Sequence, residues 1–249
     1  MAPRVQIVGS LLSPYVRKVL VCLQLKGIDY EIDPIVAFLG DDRFSQLSPL
    51  RRIPVLIDDR VTLCDSSVIC QYLEDRYPAP RLYPEDIALC ARARWLEEFA
   101  DTRMGDVFIW RIFHQLAIRP FVFGDATDRA IVDAALATDL PDVLAYLERE
   151  LPEDGFACGE LSIADISIAA FFRNLAFVKV SPDAARFPKT VAYVARVLAE
   201  APFQRLMPLE KAMMRAKPSE HRQVLLALGV SLMADTDGAE RPRAGLRPI

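Results

Sequence analysis

Two serine positions stand where helices are predicted to begin. Ser13 precedes Pro14, and a serine N-cap followed by proline at the first helical position starts a helix well. Asp65 and Ser66 stand in the same way before a second helical pattern. A helix start that carries spare backbone N–H groups and a hydroxyl is a natural anion site. The Asp65-Ser66 helix start therefore predicts a site for a carboxylate.

A proline between these two helix starts predicts an unpaired stretch of backbone. Pro54 opens the apolar β run Val55-Leu56-Ile57. Because proline donates no ladder hydrogen bond, it belongs at the first residue or the edge of a strand. The backbone of Ile53 is then free to pair with a ligand. Together with the anion site, this arrangement predicts binding of an extended peptide that carries a carboxylate.

The first eighty residues show the element order βαβ, α, ββα. Strands are predicted at 4–8, 30–33, 55–57 and 61–64, and helices at 14–26, after Gly40 and at 66–76. The prolines at 78 and 80 end this unit. Beyond Pro84 the pattern is helical throughout, with helices predicted at 89–116, 130–151, 188–200 and 206–216, and another after Ser162.

Ser162 and Asp165 form a Ser-x-x-Asp pattern before an apolar run, which predicts a capping box with a structural role. We expect an N-terminal domain over residues 1–80 and a helical domain over 86–230. Residues 235–249 are rich in Asp, Gly, Arg and Pro, which predicts a disordered tail.

Composition excludes several classes of function. The net charge is −4 and no basic cluster interleaves with aromatic residues, which argues against nucleic-acid binding. No run reaches membrane-spanning length, and the first thirty residues lack a secretory pattern. Five cysteines without C-x-x-C spacing favour free thiols in the cytoplasm. The two histidines show no metal-ligand spacing, so no metal site is expected. Arg51 is expected to be a solvated surface residue.

Four separated motifs give the chain a resemblance to the cytosolic glutathione transferases: Ser13-Pro14-Tyr15-Val16-Arg17, Arg52-Ile53-Pro54-Val55, Asp65-Ser66, and Ser162 to Asp165. Their order and spacing carry the resemblance as far as about residue 216. It implies a thioredoxin-like N-terminal domain, an all-helical C-terminal domain and glutathione as co-substrate, with no metal. It also implies that the peptide bond before Pro54 is cis.

The resemblance assigns each residue a part of glutathione. Ile53 would pair its backbone with the cysteinyl unit, and Asp65 with Ser66 would hold the γ-glutamyl end. Arg52 stands where the glycine carboxylate is bound. Ser13 matches the serine that donates its hydroxyl to the glutathione sulfur in plant-like and many bacterial members. Lowering the pKa of a thiol from about 8.5 to about 6.5 makes thiolate predominant at neutral pH and corresponds to roughly 2.7 kcal/mol.

The catalytic position has an alternative. Members that reduce disulfides or dehydroascorbate usually have cysteine where Ser13 stands, so catalysis through a mixed disulfide is disfavoured. Aligned instead with isomerase-type members on Val16 and Arg17, Ser10 takes the catalytic place. We favour Ser13 and keep Ser10 as the alternative.

The resemblance also implies an electrophile pocket and a homodimer. Leu12, Trp110, Phe113 and His114 are candidates for the pocket, although aromatic residues at helical spacing are more often core. Asp101 stands where related members place an acid that reaches the γ-glutamyl amine of the neighbouring subunit.

The function expected from the sequence is activation of the glutathione thiolate for attack on a small electrophile. Two alternatives remain: a glutathione-dependent isomerase or lyase, and a non-catalytic protein-interaction module. Retention of Ser13, Asp65, Ser66 and a basic residue at 52 favours an enzyme.

Overall fold

The computed structural model describes residues 5–243, and the chain divides into two compact units. The first contains residues 5–80 together with 205–243, and the second contains residues 81–204. The expected helical domain over 86–230 was therefore wrong at its C-terminal end. Residues 205–243 pack with residues 5–80, through contacts between residues that lie far apart in sequence.

A mixed four-stranded sheet is the centre of the first unit. Its strands are β1 (Val5–Val8), β2 (Tyr30–Asp33), β3 (Val55–Ile57) and β4 (Thr62–Cys64), in the order β2-β1-β3-β4. β1 and β2 are parallel, as their helical crossover requires, and the other two pairs are antiparallel. This confirms the predicted thioredoxin-like arrangement.

Three helices of the first unit cover this sheet: α1 (Pro14–Leu25), α2 (Asp42–Leu47) and α3 (Ser66–Arg76). α1 packs against α3, and its apolar residues Val16, Val19, Leu20 and Leu23 are fully buried. Burial of these side chains is what holds the starts of α1 and α3 in place. The two predicted helix starts therefore rest on a rigid core.

The second unit is helical, as predicted. Its helices are α4 (Ile87–Phe99), α5 (Arg129–Ala134), α6 (Leu140–Glu150), α7 (Ile163–Phe177) and α8 (Pro188–Leu198). α4 continues with wider i→i+5 turns over Ala100–Phe123. α5 continues through Ala135–Asp139 into α6. Two more helices follow: α9 (Ala201–Met213), which belongs to the first unit from residue 205 onward, and α10 (His221–Ala227), which belongs to the first unit entirely. Within residues 5–243 no helix has the length and apolar character needed to cross a membrane.

The C-terminal strap, residues 231–243, lies along the outer edge of β2. Leu232 bridges Ile32 in parallel, and the carbonyl of Ser231 accepts a hydrogen bond from the Ile32 N–H at 3.0 Å. The carboxylate of Asp33, fully buried, accepts hydrogen bonds from the strap's Thr236 hydroxyl at 2.9 Å and Asp237 N–H at 2.8 Å.

The expectation of a disordered tail over 235–249 is therefore wrong for residues 235–243, and residues 244–249 lie outside the described part of the chain. The physical reason is pairing over a long sequence distance. Strap residues satisfy Asp33, and the α10 residue Arg222 donates to the same carboxylate at 2.8 Å. Local composition carries no signal for such contacts.

Candidate functional site

Three chain segments meet at one end of the sheet. Val8 of β1 pairs with Val55 of β3, which pairs in turn with Cys64 of β4. The residues that follow β1, precede β3 and follow β4 therefore emerge side by side. These are the loop with both candidate serines, the Arg52-Ile53-Pro54 segment and the Asp65-Ser66 helix start. The sequence-predicted site of the first unit is thus brought together.

Gly9 allows the loop after β1 to lie in contact with the segment before β3. An added Cβ on this residue would stand 2.9 Å from the Ile53 Cβ and 2.6 Å from Cγ2 of Val16, at a φ of +148°. Only glycine allows this approach. The loop that enters α1 therefore lies directly against the residue before Pro54.

The two candidate serines differ in their exposure. Ser13 caps α1, is half-buried, and its Oγ accepts a hydrogen bond from the Val16 N–H at 3.4 Å. Ser10 is 3% exposed, and its Oγ accepts from the N–H of Leu12, itself half-buried, at 3.3 Å. An accepting hydroxyl keeps its own proton available for donation. Ser13 is the serine with the greater access to a ligand.

Ser48 holds the segment before β3 in place through two hydrogen bonds to the backbone of Arg52. This serine is fully buried, and its hydroxyl donates to the Arg52 carbonyl at 2.8 Å while accepting from the Arg52 N–H at 2.9 Å. The Ile53–Pro54 peptide bond is cis. Arg52 is exposed, so its guanidinium is open to an anion from solvent. Sequence reasoning missed Ser48.

Arg51 is not the solvated surface residue that the sequence analysis expected. Its guanidinium donates to the Gly40 carbonyl at 2.7 Å and to the Ser45 hydroxyl, and lies 5.5 Å from the ring centre of Phe44. The residue adopts a φ of +50°. Arg51 thus ties the segment before β3 to α2 and is structural. The sequence could not show this, because nothing local marks the positive φ or the folded-back side chain.

The start of α3 presents charges of both signs. The Oδ1 of Asp65, at a φ of +80°, accepts hydrogen bonds from the N–H groups of Ser67 at 3.0 Å and Val68 at 3.3 Å. A positive φ is costly for a residue with a Cβ, and such residues concentrate at functional sites. Ser66 is the first helical residue and is 4% exposed. The buried Lys18 donates from Nζ to the Ser67 hydroxyl at 3.1 Å.

This helix start matches an α-amino acid group in charge. Asp65 supplies an exposed carboxylate that attracts an ammonium. The helix N-terminus and the Lys18 ammonium make the same place favourable for a carboxylate. A free α-amino-carboxylate end carries both charges on one carbon. The γ-glutamyl end of glutathione is such a group.

In the second unit the structure separates the candidate pocket residues. Trp110 and His114 are half-buried neighbours on the continuation of α4, with ring centres 5.4 Å apart. Phe113 is 5% exposed and lies 6.2 Å from the ring of Phe177, which places it in the helical core. Asp101, half-buried, lies in the first turn of the same continuation.

Ser162 and Asp165 form a capping box at the start of α7. The fully buried Asp165 carboxylate accepts from the Ser162 N–H and hydroxyl, each at 2.8 Å, from the Ala157 N–H at 2.8 Å and from the Tyr193 hydroxyl at 2.5 Å. The pair fixes the fold of the second unit. In the described part of the chain no group of three or more His, Cys, Asp or Glu side chains is placed to hold a metal ion.

Comparison with known families gives two matches. Residues 7–81 match the glutathione S-transferase N-terminal domain, and residues 109–201 match the glutathione S-transferase C-terminal domain. The two matched segments contain the sequence motifs of both units.

Individual relatives agree with these matches. Glutathione S-transferase 3 of Zea mays is 32% identical over 179 residues, which cover 68% of this chain and 77% of that protein. Maleylacetoacetate isomerase of Rattus norvegicus is 43% identical over 74 residues, or 28% of this chain and 34% of that protein. Several curated relatives are matched over only about a third of their length. The crystal structure of a glutathione S-transferase from Rhodospirillum rubrum F11 superposes with a TM-score of 0.75 at 25% identity, covering 82% of this chain and 91% of that one.

Proposed function

Because this chain belongs to the glutathione S-transferase family, we propose that it binds glutathione at the shared end of the sheet and activates the thiolate for attack on a small electrophile. The observation that carries the proposal is the start of α3. There an exposed carboxylate, a helix N-terminus and a buried ammonium lie together, as the α-amino-carboxylate of a γ-glutamyl group requires.

In the proposed mode, the rest of the peptide extends along the sheet end. Asp65 and Ser66 bind the γ-glutamyl end, and the backbone of Ile53 pairs with the cysteinyl unit. The exposed guanidinium of Arg52 binds the glycine carboxylate through charge-assisted hydrogen bonds. This direction places the cysteinyl sulfur beside the loop that Gly9 brings against Ile53.

The chemical step needs the thiol of glutathione to lose its proton. We propose that the Ser13 hydroxyl donates a hydrogen bond to the sulfur, which favours thiolate over thiol, and that the N-terminus of α1 adds to this effect. The thiol proton passes to solvent water, and the sulfur lone pair then attacks the electrophilic carbon to form the C–S bond. If the electrophile carries a leaving group, that group departs with its bonding electron pair. If it carries a double bond, the electron pair of that bond takes up a proton from water.

The test of the binding mode is a pair of substitutions at the start of α3. Asp65→Asn removes the charge offered to the ammonium, and Ser66→Ala removes the hydroxyl offered to the carboxylate. Both contacts are made equally in ground and transition states, so we expect a raised dissociation constant for glutathione with kcat nearly unchanged. Asp75→Asn, an exposed residue near the other end of α3, is the matched control. Wild-type affinity in both site variants, measured by calorimetry, would exclude this mode.

A second candidate function is glutathione-dependent isomerisation. The observation that favours it is the 43% identity over 74 residues to maleylacetoacetate isomerase of Rattus norvegicus. In such a reaction the thiolate adds to a double bond, rotation follows, and the thiolate leaves unchanged. A screen that follows glutathione concentration separates the two functions, because conjugation consumes glutathione and isomerisation does not.

We also propose that the chain acts as a homodimer in the cytoplasm, with Asp101 of one subunit reaching the γ-glutamyl amine bound by its neighbour. This assignment comes from the family resemblance. Light scattering that shows a fully active monomer at micromolar concentration would exclude both the dimer and the role of Asp101. An unaltered glutathione affinity in a dimeric Asp101→Ala variant would exclude only the latter.

A further inference from the structure

A buried ion pair joins α1 to α9 directly behind the serine loop. The Arg17 Nε donates to the Glu210 carboxylate, and both side chains are 1% exposed. The same guanidinium donates from a second nitrogen to the Leu11 carbonyl at 3.3 Å. One planar group thus contacts both an acid of α9 and the backbone between Ser10 and Ser13.

The Leu11 carbonyl lies at the middle of the loop that carries both candidate serines. The loop is closed on itself by the Ser13 N–H, which donates to the Ser10 carbonyl at 3.0 Å. The main-chain N–H of residue 17 donates to the Ser13 carbonyl at 2.9 Å as the first backbone bond of α1, whatever the side chain there. The Leu11 carbonyl, in contrast, is held by the Arg17 guanidinium itself. The middle of the Ser10–Ser13 loop is therefore fixed to α1 by the Arg17 side chain.

The role of the ion pair is better explained by the positions of its hydrogen-bond donors than by a gain in fold stability or by the electric field of its charges. Burial of two charges costs desolvation that their attraction barely repays, so apolar residues of similar size often stabilise a fold as well. Glu210 also neutralises Arg17, which leaves little net charge to act on a nearby thiolate. What apolar residues cannot supply is the fixed fork of donors.

We propose that Arg17, oriented by Glu210, is a positioning residue that fixes the Ser10–Ser13 loop for stabilisation of the glutathione thiolate. The inference rests on the proposed function and extends it to α9, where Glu210 lies outside both matched family segments. A displacement of a reactive group by about 1 Å costs on the order of 100-fold in rate. A loosened loop therefore lowers kcat without altering the contacts that bind the peptide.

Two variants test this positioning role. Arg17→Lys keeps the positive charge that faces Glu210 but lacks the planar guanidinium that donates to two acceptors at once. The double variant Arg17→Met/Glu210→Leu removes both buried charges together, which keeps the protein folded where a single removal would leave one charge unpaired. Glu74→Gln is the matched control, since it removes the acid of the buried Lys26–Glu74 pair at the other end of α1, away from the loop. The Lys26 ammonium keeps its hydrogen bonds to the carbonyls of Tyr77 at 2.7 Å and Pro80 at 2.9 Å, so this single substitution leaves no charge without a partner.

Four readouts are taken for each variant. They are kcat with a chlorodinitrobenzene, the pH midpoint of thiolate formation in bound glutathione by ultraviolet absorbance, hydrogen exchange of the loop amides, and the dissociation constant of glutathione by calorimetry. We expect kcat about 10 to 100-fold lower, a higher pH midpoint and faster exchange of the Leu12 and Ser13 amides in both test variants. The dissociation constant of glutathione, measured at about pH 5 where the bound thiol is protonated in every variant, stays near that of the wild type. All values for the control also stay near those of the wild type.

Wild-type kcat, pH midpoint and exchange in the folded double variant would overturn the inference. An equal loss of activity in the Glu74→Gln control would overturn it too, because the effect would then be general destabilisation. If the wild-type protein binds no glutathione, the proposed function fails and this inference fails with it. That outcome is distinguished from the others by calorimetry on the unmodified protein.

Discussion

Replacement of Ser13 by alanine removes a hydroxyl to which we assign two separate roles, one structural and one catalytic. In the structure its oxygen caps α1 by accepting from the Val16 N–H at 3.4 Å. In the proposed mechanism its proton is donated to the glutathione sulfur. The first role affects the free energy of unfolding, and the second affects the rate, so two experiments separate them.

The two expected effects differ in size. Loss of an N-cap costs about 0.5–2 kcal/mol, and a 3.4 Å bond lies beyond the usual range of hydrogen-bond lengths. We therefore expect the loss of stability to be about 0.5 kcal/mol. Loss of one donor to a developing anion lowers the rate on the order of 10 to 1000-fold. At about pH 5, where the bound thiol is protonated with or without the hydroxyl, glutathione affinity changes little, because the contacts at Asp65, Ser66 and Ile53 remain.

Urea unfolding and steady-state kinetics with a chlorodinitrobenzene measure the two effects on one preparation. Ser13→Gly is the matched variant, because glycine at an N-cap costs only a few tenths of a kcal/mol while the hydroxyl is equally absent. We expect it to lose as much activity as Ser13→Ala and less stability. Unchanged activity in Ser13→Ala, with a collapse in Ser10→Ala, would transfer the catalytic role to the more buried Ser10. Unchanged activity in both would refute the serine mechanism.

Three further predictions concern the stability of the fold. Asp165→Ala removes the acceptor of four donors, three of which are buried. We therefore expect the free energy of unfolding in urea to fall by at least about 4 kcal/mol. A loss below about 1 kcal/mol would contradict the buried network. Asp33→Asn weakens the anchor of the strap, so we expect the free energy of unfolding to fall by about 3 kcal/mol and proteolysis within 231–243 to be faster. Asp42 is an exposed partner of Arg243, and we expect Asp42→Asn to leave both quantities unchanged. Equal proteolysis of the two variants would contradict the role of Asp33 as the anchor. Burial lowers the pKa of His221 in the folded protein. The imidazole is therefore protonated at a higher pH in the unfolded chain than in the folded one, and stability falls as pH drops below about 6.5. We expect His221→Gln to flatten this pH dependence of stability, and an unaltered slope would show that His221 does not contribute.

Local chemistry made part of the fold and site predictable. Ser13-Pro14 and Asp65-Ser66 begin helices because capping is decided by neighbouring residues, and the structure starts α1 and α3 at these places. Cap, turn and period signals need no distant partner. The positions of the candidate residues along the chain therefore followed from the sequence.

Long-range pairing was beyond such signals. Arg17 and Glu210 are 193 residues apart, and Asp33 and Asp237 are 204 apart. Residues 235–243 of the strap are polar, so their composition predicted disorder, yet the fully buried Asp33 carboxylate holds them in place. The continuation of α4 past residue 116 was also missed. It ends only where Gly124 adopts a φ of +73°, and glycine's tolerance of this conformation makes it a common helix end.

The most direct test of the central claim is a calorimetric titration of the wild-type protein with glutathione and, separately, with cysteinylglycine, which lacks the γ-glutamyl group. If the start of α3 recognises an α-amino-carboxylate end, glutathione binds at one site per chain, Ser66→Ala weakens that binding, and cysteinylglycine does not bind. Equal binding of the two peptides, or no binding of glutathione by the wild-type protein, would contradict the assignment of this site.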